Sequence, residues 1–243
     1  MSPTPTPAPA PTPTQPPAPA RLRPTTLVEA REAMVEAAGV VAVTGAGTKA
    51  GWGPAGRLPD LVVETTGLDR LVAHNHGDLT AVVEAGLPLA RLQEHLAGAG
   101  QWLALDPASE ARGATVGGIL AAGDAGPRRH RYGTMRDLVI GATVVLTDGA
   151  VARSGGQVIK NVAGYDLAKL LCGSFGTLGL VTEVSVRLHP RPPASTTVVV
   201  PAAPGPATAL VVALAASPVV PSAVDWADGA LWVRIEGPPE GVA

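Results

Sequence analysis

The chain has 243 residues, a formal net charge of −2 and a hydrophobic fraction of 46%. This length and apolar content allow one or two domains with buried cores, and the near-neutral charge argues against a general nucleic-acid or anionic-membrane surface. The one cysteine, Cys172, excludes an intrachain disulfide, and this chain alone cannot supply a cysteine-ligated zinc site or an iron–sulfur cluster.

The amino-terminal segment differs sharply from the rest of the sequence. Residues 1–20 are almost wholly Pro, Thr and Ala, and Arg21 is the first charged side chain. We predict a disordered tail over residues 1–24, because this composition cannot build a core. A solvated tail is favoured over a polyproline ligand for an SH3-type domain. We see neither a signal peptide nor a membrane-spanning apolar run, so we expect a cytoplasmic protein.

Helices and strands are predicted throughout residues 25–190. Thr25–Thr26 is a candidate N-cap for a helix through Ala38, with Gly39 as its stop, and Pro88 opens another helix. Strands are predicted at 40–43, 61–64 and 78–86, in a hairpin at 137–155 and at 178–190, with a further helical run at 166–172.

The sequence pattern of residues 194–243 predicts the start of a second, smaller unit. A strand at 196–200, a short helix at 207–216 and two strands around Asp228–Gly229 give the order β-α-β-β. This is too little material to close an α+β domain of the ferredoxin-like kind. We therefore expect an incomplete cap domain and a truncated gene product.

The first glycine-rich loop is TGAGTKAGWGPAG, residues 44–56. It lacks the P-loop spacing GxxxxGK(S/T) between glycine and lysine, and no Ser or Thr follows Lys49. It formally matches a dinucleotide fingerprint at Gly45, Gly47 and Ala50, but the glycines and prolines that follow leave no room for the required helix. The favoured interpretation is a nest of backbone N–H groups around an anion, and a surface turn is the alternative.

Two more glycine-rich stretches follow, ATVGGILAAGDAGPRRHRYG at 114–133 and GYDLAKLLCGSFGTLG at 164–179. We predict the first to be a loop that approaches a phosphate or a ring closely. Arg128 and Arg129 are expected to be solvated, whereas Arg131 and the residues after it are better candidates for a pocket. In the second stretch, so many glycines after a helical run indicate positive φ angles or backbone lying against a ligand.

Other catalytic chemistries have little support in this sequence. His74 and His76 could share one face of a strand, but no third metal ligand is evident. There is no G-x-S-x-G nucleophile motif. Cys172 lies in an apolar run, which favours a buried structural thiol over a nucleophile. We therefore predict no metal and name no catalytic residue.

Taken together, the three glycine-rich stretches resemble a known family. VTGAGTKAGWG, LDPASEARGATVGGILAAGDAG with RYGTMRDLVIGATVVLTDG, and NVAGYDLAKLLCGSFGTLGLVTEVSVRLHP are similar to the FAD-binding domain of the vanillyl-alcohol oxidase and p-cresol methylhydroxylase (PCMH) type. Within it, GTKAGWG and VIKNVAGYDLAKLLCGS most resemble the small FAD-binding subunit of bacterial glycolate oxidase complexes. The resemblance covers roughly residues 25–235. It implies an α+β fold with a two-subdomain FAD-binding domain over 25–190, followed by the incomplete cap over 194–243.

The resemblance also implies which residues touch the cofactor. The first loop would hold the FAD pyrophosphate through backbone N–H groups, a second wall would face pyrophosphate and flavin, a turn would lead to the central strands, and the last stretch would meet the adenosine half. The implied residues are, in that order, Gly45, Gly47, Thr48 and Lys49; Pro107, Thr115, Gly117, Gly118 and Gly123; Tyr132, Gly133 and Asp137; and Gly173, Gly176, Leu178, Gly179 and Val181.

Two departures from the family pattern refine the expectation. Many relatives tether the flavin through a histidine in these loops, but GGILAAGDAG has none, so we predict non-covalent FAD. The common GSEGTLG appears here as GSFGTLG, with Phe175 in place of the acid.

The resemblance further implies an FAD-dependent oxidation of glycolate or another 2-hydroxy acid, by hydride transfer from substrate to FAD. The implied partners are a larger FAD-binding subunit and an iron–sulfur subunit, which could also bring the chain to a membrane. Two alternatives stay open: a non-catalytic subunit for assembly or electron relay, and a stand-alone FAD-dependent alcohol or hydroxy-acid oxidase.

Overall fold

The computed structural model describes residues 18–53, 56–156 and 166–242. Part of the predicted tail (1–17) and the stretch VIKNVAGY lie outside the described residues. Within the rest of the tail, Ala20–Leu22 forms strand β1, and Ala20 N donates to Asp60 O at 3.0 Å. The prediction of disorder through residue 24 is therefore wrong for this strand, because its pairing partner lies about forty residues away and composition does not reveal it.

The first subdomain is a small parallel sheet with one helix. Strands β1, β2 (Val41–Thr44) and β3 (Leu61–Glu64) pair in the order β1-β3-β2. Helix α1 (Leu27–Glu36) packs its alanines and Met34 on this sheet. Its N-cap is Thr26, whose hydroxyl accepts a hydrogen bond from Glu29 N at 3.2 Å, so the predicted start of this helix is confirmed.

The second subdomain is a five-stranded antiparallel sheet in the order β4-β5-β9-β7-β8. The predicted hairpin at 137–155 is confirmed, and so is the strand within 78–86. A strand beginning at Leu71 was not predicted. The strands are β4 (Leu71–Asn75), β5 (Thr80–Glu84), β7 (Val139–Val145), β8 (Val151–Gly155) and β9 (Leu180–Arg187).

Helices cover this sheet and complete its core. A two-residue strand pair, β6 (Gln101–Trp102) with β10 (His189–Pro190), closes one end. The predicted helical run at 166–172 is a 3₁₀ turn over Leu167–Leu171. The helices are α2 (Leu89–Ala97), α3 (Val116–Ala122), α4 (Arg129–Tyr132) and α5 (Met135–Leu138).

Helix α3 corrects the prediction that 114–133 is a loop. Glycines at its start argue against a helix on propensity alone, at about 1 kcal/mol each relative to alanine. A Cβ at Gly117 would lie 2.6 Å from the Ala85 Cβ, so glycine is what lets the helix pack directly on the residue that follows β5. Thr115 caps the helix by accepting from Gly118 N at 3.2 Å. Packing and capping thus outweigh the intrinsic cost of glycine.

The carboxyl-terminal unit has the predicted β-α-β-β order. Strands β11 (Ala194–Pro201), β12 (Ala223–Ala227) and β13 (Ala230–Gly237) form an antiparallel sheet in the order β11-β13-β12, and helix α6 (Pro204–Ala215) packs on one face. On the other face, Glu236 of β13 meets α4 of the preceding domain. In the part of the chain that the structure describes, no helix combines the length and apolarity needed to cross a bilayer.

Candidate functional site

A cavity of about 340 Å³ opens between the two subdomains. Three segments line it: the loop after β2, helix α3, and the glycine-rich turn before β9. Ten of the predicted cofactor residues line this cavity: Gly45, Gly47, Thr48, Lys49, Thr115, Gly117, Gly118, Gly176, Gly179 and Val181. The structure therefore brings together three stretches that are distant in sequence, as the resemblance implies.

The first wall is the loop that follows β2. Gly47 has φ +70°, a left-handed conformation that favours glycine. Ala50 N and Trp52 N bond back to Gly47 O and Lys49 O, at 3.2 and 3.0 Å. Among the described residues, no acceptor bonds the N–H groups of Ala46, Gly47 or Thr48. Three successive unpaired N–H groups at a cavity wall fit an anionic group such as a pyrophosphate, which supports the nest interpretation over a plain surface turn.

The second wall is the cavity-facing side of α3. Gly118, Ala121 and Ala122 leave this side nearly free of side chains. Gly45 on the first wall is close to it, because a Cβ there would lie 2.3 Å from the Thr115 Oγ1. Small residues on both walls therefore keep open a narrow space that suits a flat or extended ligand.

The third wall is the turn that leads into β9. Phe175 N donates to Ala121 O at 2.8 Å, which fixes this turn against α3. Phe175 has φ +51° and its side chain is half-exposed at the cavity rim. A non-glycine residue held in the left-handed region is strained, and such strain gathers at ligand sites. A Cβ at Gly179 would lie 2.8 Å from the Val144 Cγ2, so this glycine is needed for close packing.

A buried ion pair anchors the first loop to the residues after α3. Lys49 Nζ lies 3.4 Å from Asp124 Oδ2, and both side chains are more than nine-tenths buried. The Ser109 hydroxyl donates a short hydrogen bond to the same carboxylate oxygen. Burial lowers the pKa of Lys49, and Asp124 opposes this by stabilising the charged ammonium. Lys49 is the one ionisable side chain among the described residues that line the cavity.

Seven predicted residues do not line the cavity. Gly123 ends α3 with φ +63° and packs against Gly173 behind the cavity wall. Asp137 caps α5 by accepting from Thr134 N at 2.7 Å, and a Cβ at Gly133 would meet Asp137. The Tyr132 hydroxyl donates to Glu236 at 2.9 Å, away from the cavity. Pro107 O accepts from Glu110 N, and Leu178 is half-exposed.

Sequence reasoning also missed part of the lining. Most of these residues are small, but only four of the eleven, Thr44, Ala46, Ala122 and Phe175, lie directly beside a predicted glycine. The missed residues are Ala42, Val43, Thr44, Ala46, Ala50, Gly53, Thr65, Ala85, Ala121, Ala122 and Phe175.

Residues considered for other chemistry take structural positions. His74 Nε2 lies 2.8 Å from Gln101 Oε1, and Gln101 Nε2 donates to His76 O at 2.9 Å. Burial raises the pKa of the Cys172 thiol to about 11, which disfavours the nucleophilic thiolate at neutral pH. Among the described residues, no three His, Cys, Asp or Glu side chains are grouped to hold a metal ion.

Comparison with known proteins places this chain in a family. Curated relatives include glycolate oxidase subunit GlcE of Escherichia coli, 38% identical over 69% of this chain and 48% of that protein. Glycolate oxidase subunit GlcD of Bacillus subtilis is 37% identical over 61% of this chain and 31% of that protein. A mitochondrial cytochrome-linked D-lactate dehydrogenase of Saccharomyces cerevisiae is 39% identical over 55% of this chain and 22% of that protein. The chain thus spans half or less of the length of these relatives.

A solved structure supports the fold. Alkyldihydroxyacetonephosphate synthase matches with a TM-score of 0.72 at 19% identity, over 90% of this chain and 47% of that one. The model of the FAD binding domain family matches residues 18–155, more than half of the chain, and it includes the first two walls of the cavity. This confirms the PCMH-type resemblance and FAD as the cofactor, and the chain belongs to the FAD binding domain family.

Proposed function

We propose that this chain is the FAD-binding subunit of an oxidoreductase that acts on glycolate or a closely similar 2-hydroxy acid. The observation that carries the proposal is the cavity, whose three walls are built from the family's glycine-rich stretches. The relatives named for glycolate oxidase and D-lactate dehydrogenase support the substrate class, because both names denote short 2-hydroxy acids.

In this proposal the chain's own residues bind and orient the cofactor. The N–H groups of Ala46, Gly47 and Thr48 hold the pyrophosphate, and each hydrogen bond to a charged oxygen contributes about 1.5–3 kcal/mol. The small residues of α3 let a ring lie against its backbone. Phe175 covers the rim and limits access of water. Bound FAD would supply the electron sink for oxidising the substrate alcohol to a carbonyl.

The partners are a further part of the proposal. A larger FAD-binding subunit and an iron–sulfur subunit would complete the complex. Iron–sulfur clusters are usually held by several cysteine thiolates, and this chain has one cysteine. An iron–sulfur cluster in the complex would therefore be held by a separate subunit.

A second candidate function is electron relay or assembly without substrate chemistry. It is favoured by the cavity lining, since Lys49 is its one ionisable side chain among the described residues. A general base for the hydroxyl proton would then come from a partner chain.

An anaerobic visible spectrum of the purified, FAD-loaded chain separates these candidates. Bleaching of the flavin bands by glycolate or D-lactate supports catalysis in this chain. Bands that bleach only when the larger subunit is added support relay. A chain that takes up no FAD overturns both. Acid precipitation of the loaded chain should release the flavin to the supernatant, and a yellow pellet would contradict non-covalent binding.

A further inference from the structure

A second cavity, of about 370 Å³, lies where the β-α-β-β unit meets the FAD-binding domain. It shares no lining residue with the cofactor cavity. Its lining comes from α2, the segment around Trp102, Arg128 just before α4, the connecting residues 191–195 and β13. The residues are Gln93, Trp102, Leu105, Glu110, Arg128, Arg191, Pro192, Pro193, Ala194, Ser195, Arg234 and Glu236.

Three arginines and two carboxylates give this lining its charge. The Glu236 side chain is almost fully buried and already has its own partners. Tyr132 donates to it at 2.9 Å, Arg234 Nε lies 3.1 Å from Oε1, and Arg128 Nη2 lies 3.4 Å from the same oxygen. Glu236 therefore joins the two units and leaves an excess of positive charge facing the cavity.

Donors in this cavity remain unused. The Nε–H of Arg128 is buried and has no hydrogen-bond partner among the described residues. Its guanidinium is held over the Trp102 ring, 4.5 Å from the centroid, so it is fixed in place. The Arg191 guanidinium makes no ion pair or hydrogen bond with the part of the chain that the structure describes. A buried donor without an acceptor is unfavourable, and an oxyanion in the cavity would supply the missing acceptor.

Two further carboxyl groups lie at or behind the cavity wall. Burial raises the pKa of Glu110, which lines the cavity, and of Asp106 behind it. Asp106 also accepts a hydrogen bond from Arg128 N at 3.1 Å, which holds that arginine at the cavity wall.

We propose that this cavity binds a small oxyanion, a carboxylate or a phosphate, between Arg128 and Arg191. The planar guanidinium fork matches both groups and binds them bidentately. The volume suits a small metabolite. Since Arg128 belongs to the FAD-binding domain and Arg191 to the connection into the β-α-β-β unit, the bound anion would also brace these two units.

The test is a binding titration of the FAD-loaded chain, measured by isothermal titration calorimetry. Glycolate and inorganic phosphate are titrated separately, with sodium chloride keeping the ionic strength constant. The variant is Arg191→Gln, because Arg191 has no structural partner whose loss would unfold the protein. Arg153→Gln is the matched control, since Arg153 is an exposed arginine on β8.

We expect saturable binding of at least one of the two anions, with about tenfold weaker affinity in Arg191→Gln and no change in Arg153→Gln. The anion that binds shows whether the cavity recognises a carboxylate or a phosphate. Any anion binding at the FAD loop is common to all variants and cancels in the comparison. No binding by either anion, or equal binding by Arg191→Gln and the parent protein, overturns the proposal. Flavin absorbance in the same samples reports on the cofactor site, so failure here is distinguishable from failure of the proposed function.

Discussion

The Lys49 ammonium lies 3.4 Å from the Asp124 carboxylate, and this buried pair ties the first wall of the cavity between the two subdomains to the residues that follow α3. Lys49 faces the cavity on one side and Asp124 on the other. Because Ser109 also donates to Asp124, the carboxylate is held from two directions. The loop proposed to bind the pyrophosphate is thus anchored through the Lys49 side chain.

Replacement of Asp124 by Asn should destabilise the protein strongly. It leaves the Lys49 ammonium buried without a counter-charge, which typically costs about 3–5 kcal/mol. The measurement is urea denaturation. The control is Asp69→Asn, which breaks the exposed Arg91–Asp69 pair at 2.8 Å and should cost about 1 kcal/mol or less. Equal losses in the two variants would contradict a buried, stabilising pair.

Replacement of Phe175 by Gly should weaken FAD binding with little effect on stability. Glycine relieves the strain of φ +51° but adds unfolded-state entropy, so the free energy of unfolding should change by about 1 kcal/mol at most. Loss of an aromatic contact should weaken FAD binding about two- to tenfold.

Asp228→Gly is the matched control for Phe175. Asp228 also has φ +51°, in the turn between β12 and β13, away from the cavity. The FAD affinity of the Asp228→Gly variant should equal that of the parent protein. If Phe175→Gly also binds FAD like the parent protein, the rim position of Phe175 has no part in cofactor binding.

Tyr132 should ionise only at strongly alkaline pH. Burial and the hydrogen bond to Glu236 raise its pKa to about 12, from a usual value of 10.0. The folded state therefore keeps the proton longer than the unfolded state. The stabilising contribution of Tyr132 is complete below pH 10 and is lost as the pH rises from about 10 to about 12.

An ultraviolet titration at the phenolate band checks this. The chain has two tyrosines, so the curve of Tyr132→Phe is subtracted from that of the parent protein. The difference should show a midpoint near 12. A midpoint near 10 would contradict the partly buried, hydrogen-bonded position of Tyr132.

Cys172 should react slowly with a thiol reagent at pH 8. Burial raises its pKa to about 11 from a usual 9.0, so the thiolate fraction is about 100-fold lower. Because the chain has one cysteine, the reaction reports on this site alone. The folded protein should react about 100-fold more slowly than the protein in denaturant. Similar rates would contradict a partly buried, structural thiol with a raised pKa.

Local signals predicted much of this fold. Alternating apolar residues and the Asp148–Gly149 turn specify the β7–β8 hairpin, and Thr26 specifies the start of α1. β1 was not predicted, because its three residues are ordered only by pairing with β3. The segment of α3 was predicted as a loop because Gly117 lowers helix propensity, while its close approach to Ala85 is a tertiary effect.

The candidate site was predicted best where glycine itself is required. Gly47 and Gly176 have positive φ, and both line the cavity. Gly133 also has positive φ, yet it serves the cap of α5, because a glycine pattern does not distinguish a turn from a ligand contact. The alanines of the lining carry no comparable signal, since alanine is common in any helix.

FAD titration of Ala121→Leu tests the central claim most directly. Ala121 lies on the cavity side of α3, and leucine there fills the space proposed for FAD without disfavouring the helix. The matched control is Ala90→Leu, at an exposed position of α2. The account predicts one FAD per chain for the parent protein and for Ala90→Leu, and about tenfold or weaker binding for a folded Ala121→Leu. Unchanged FAD affinity in Ala121→Leu would show that FAD does not bind in this cavity.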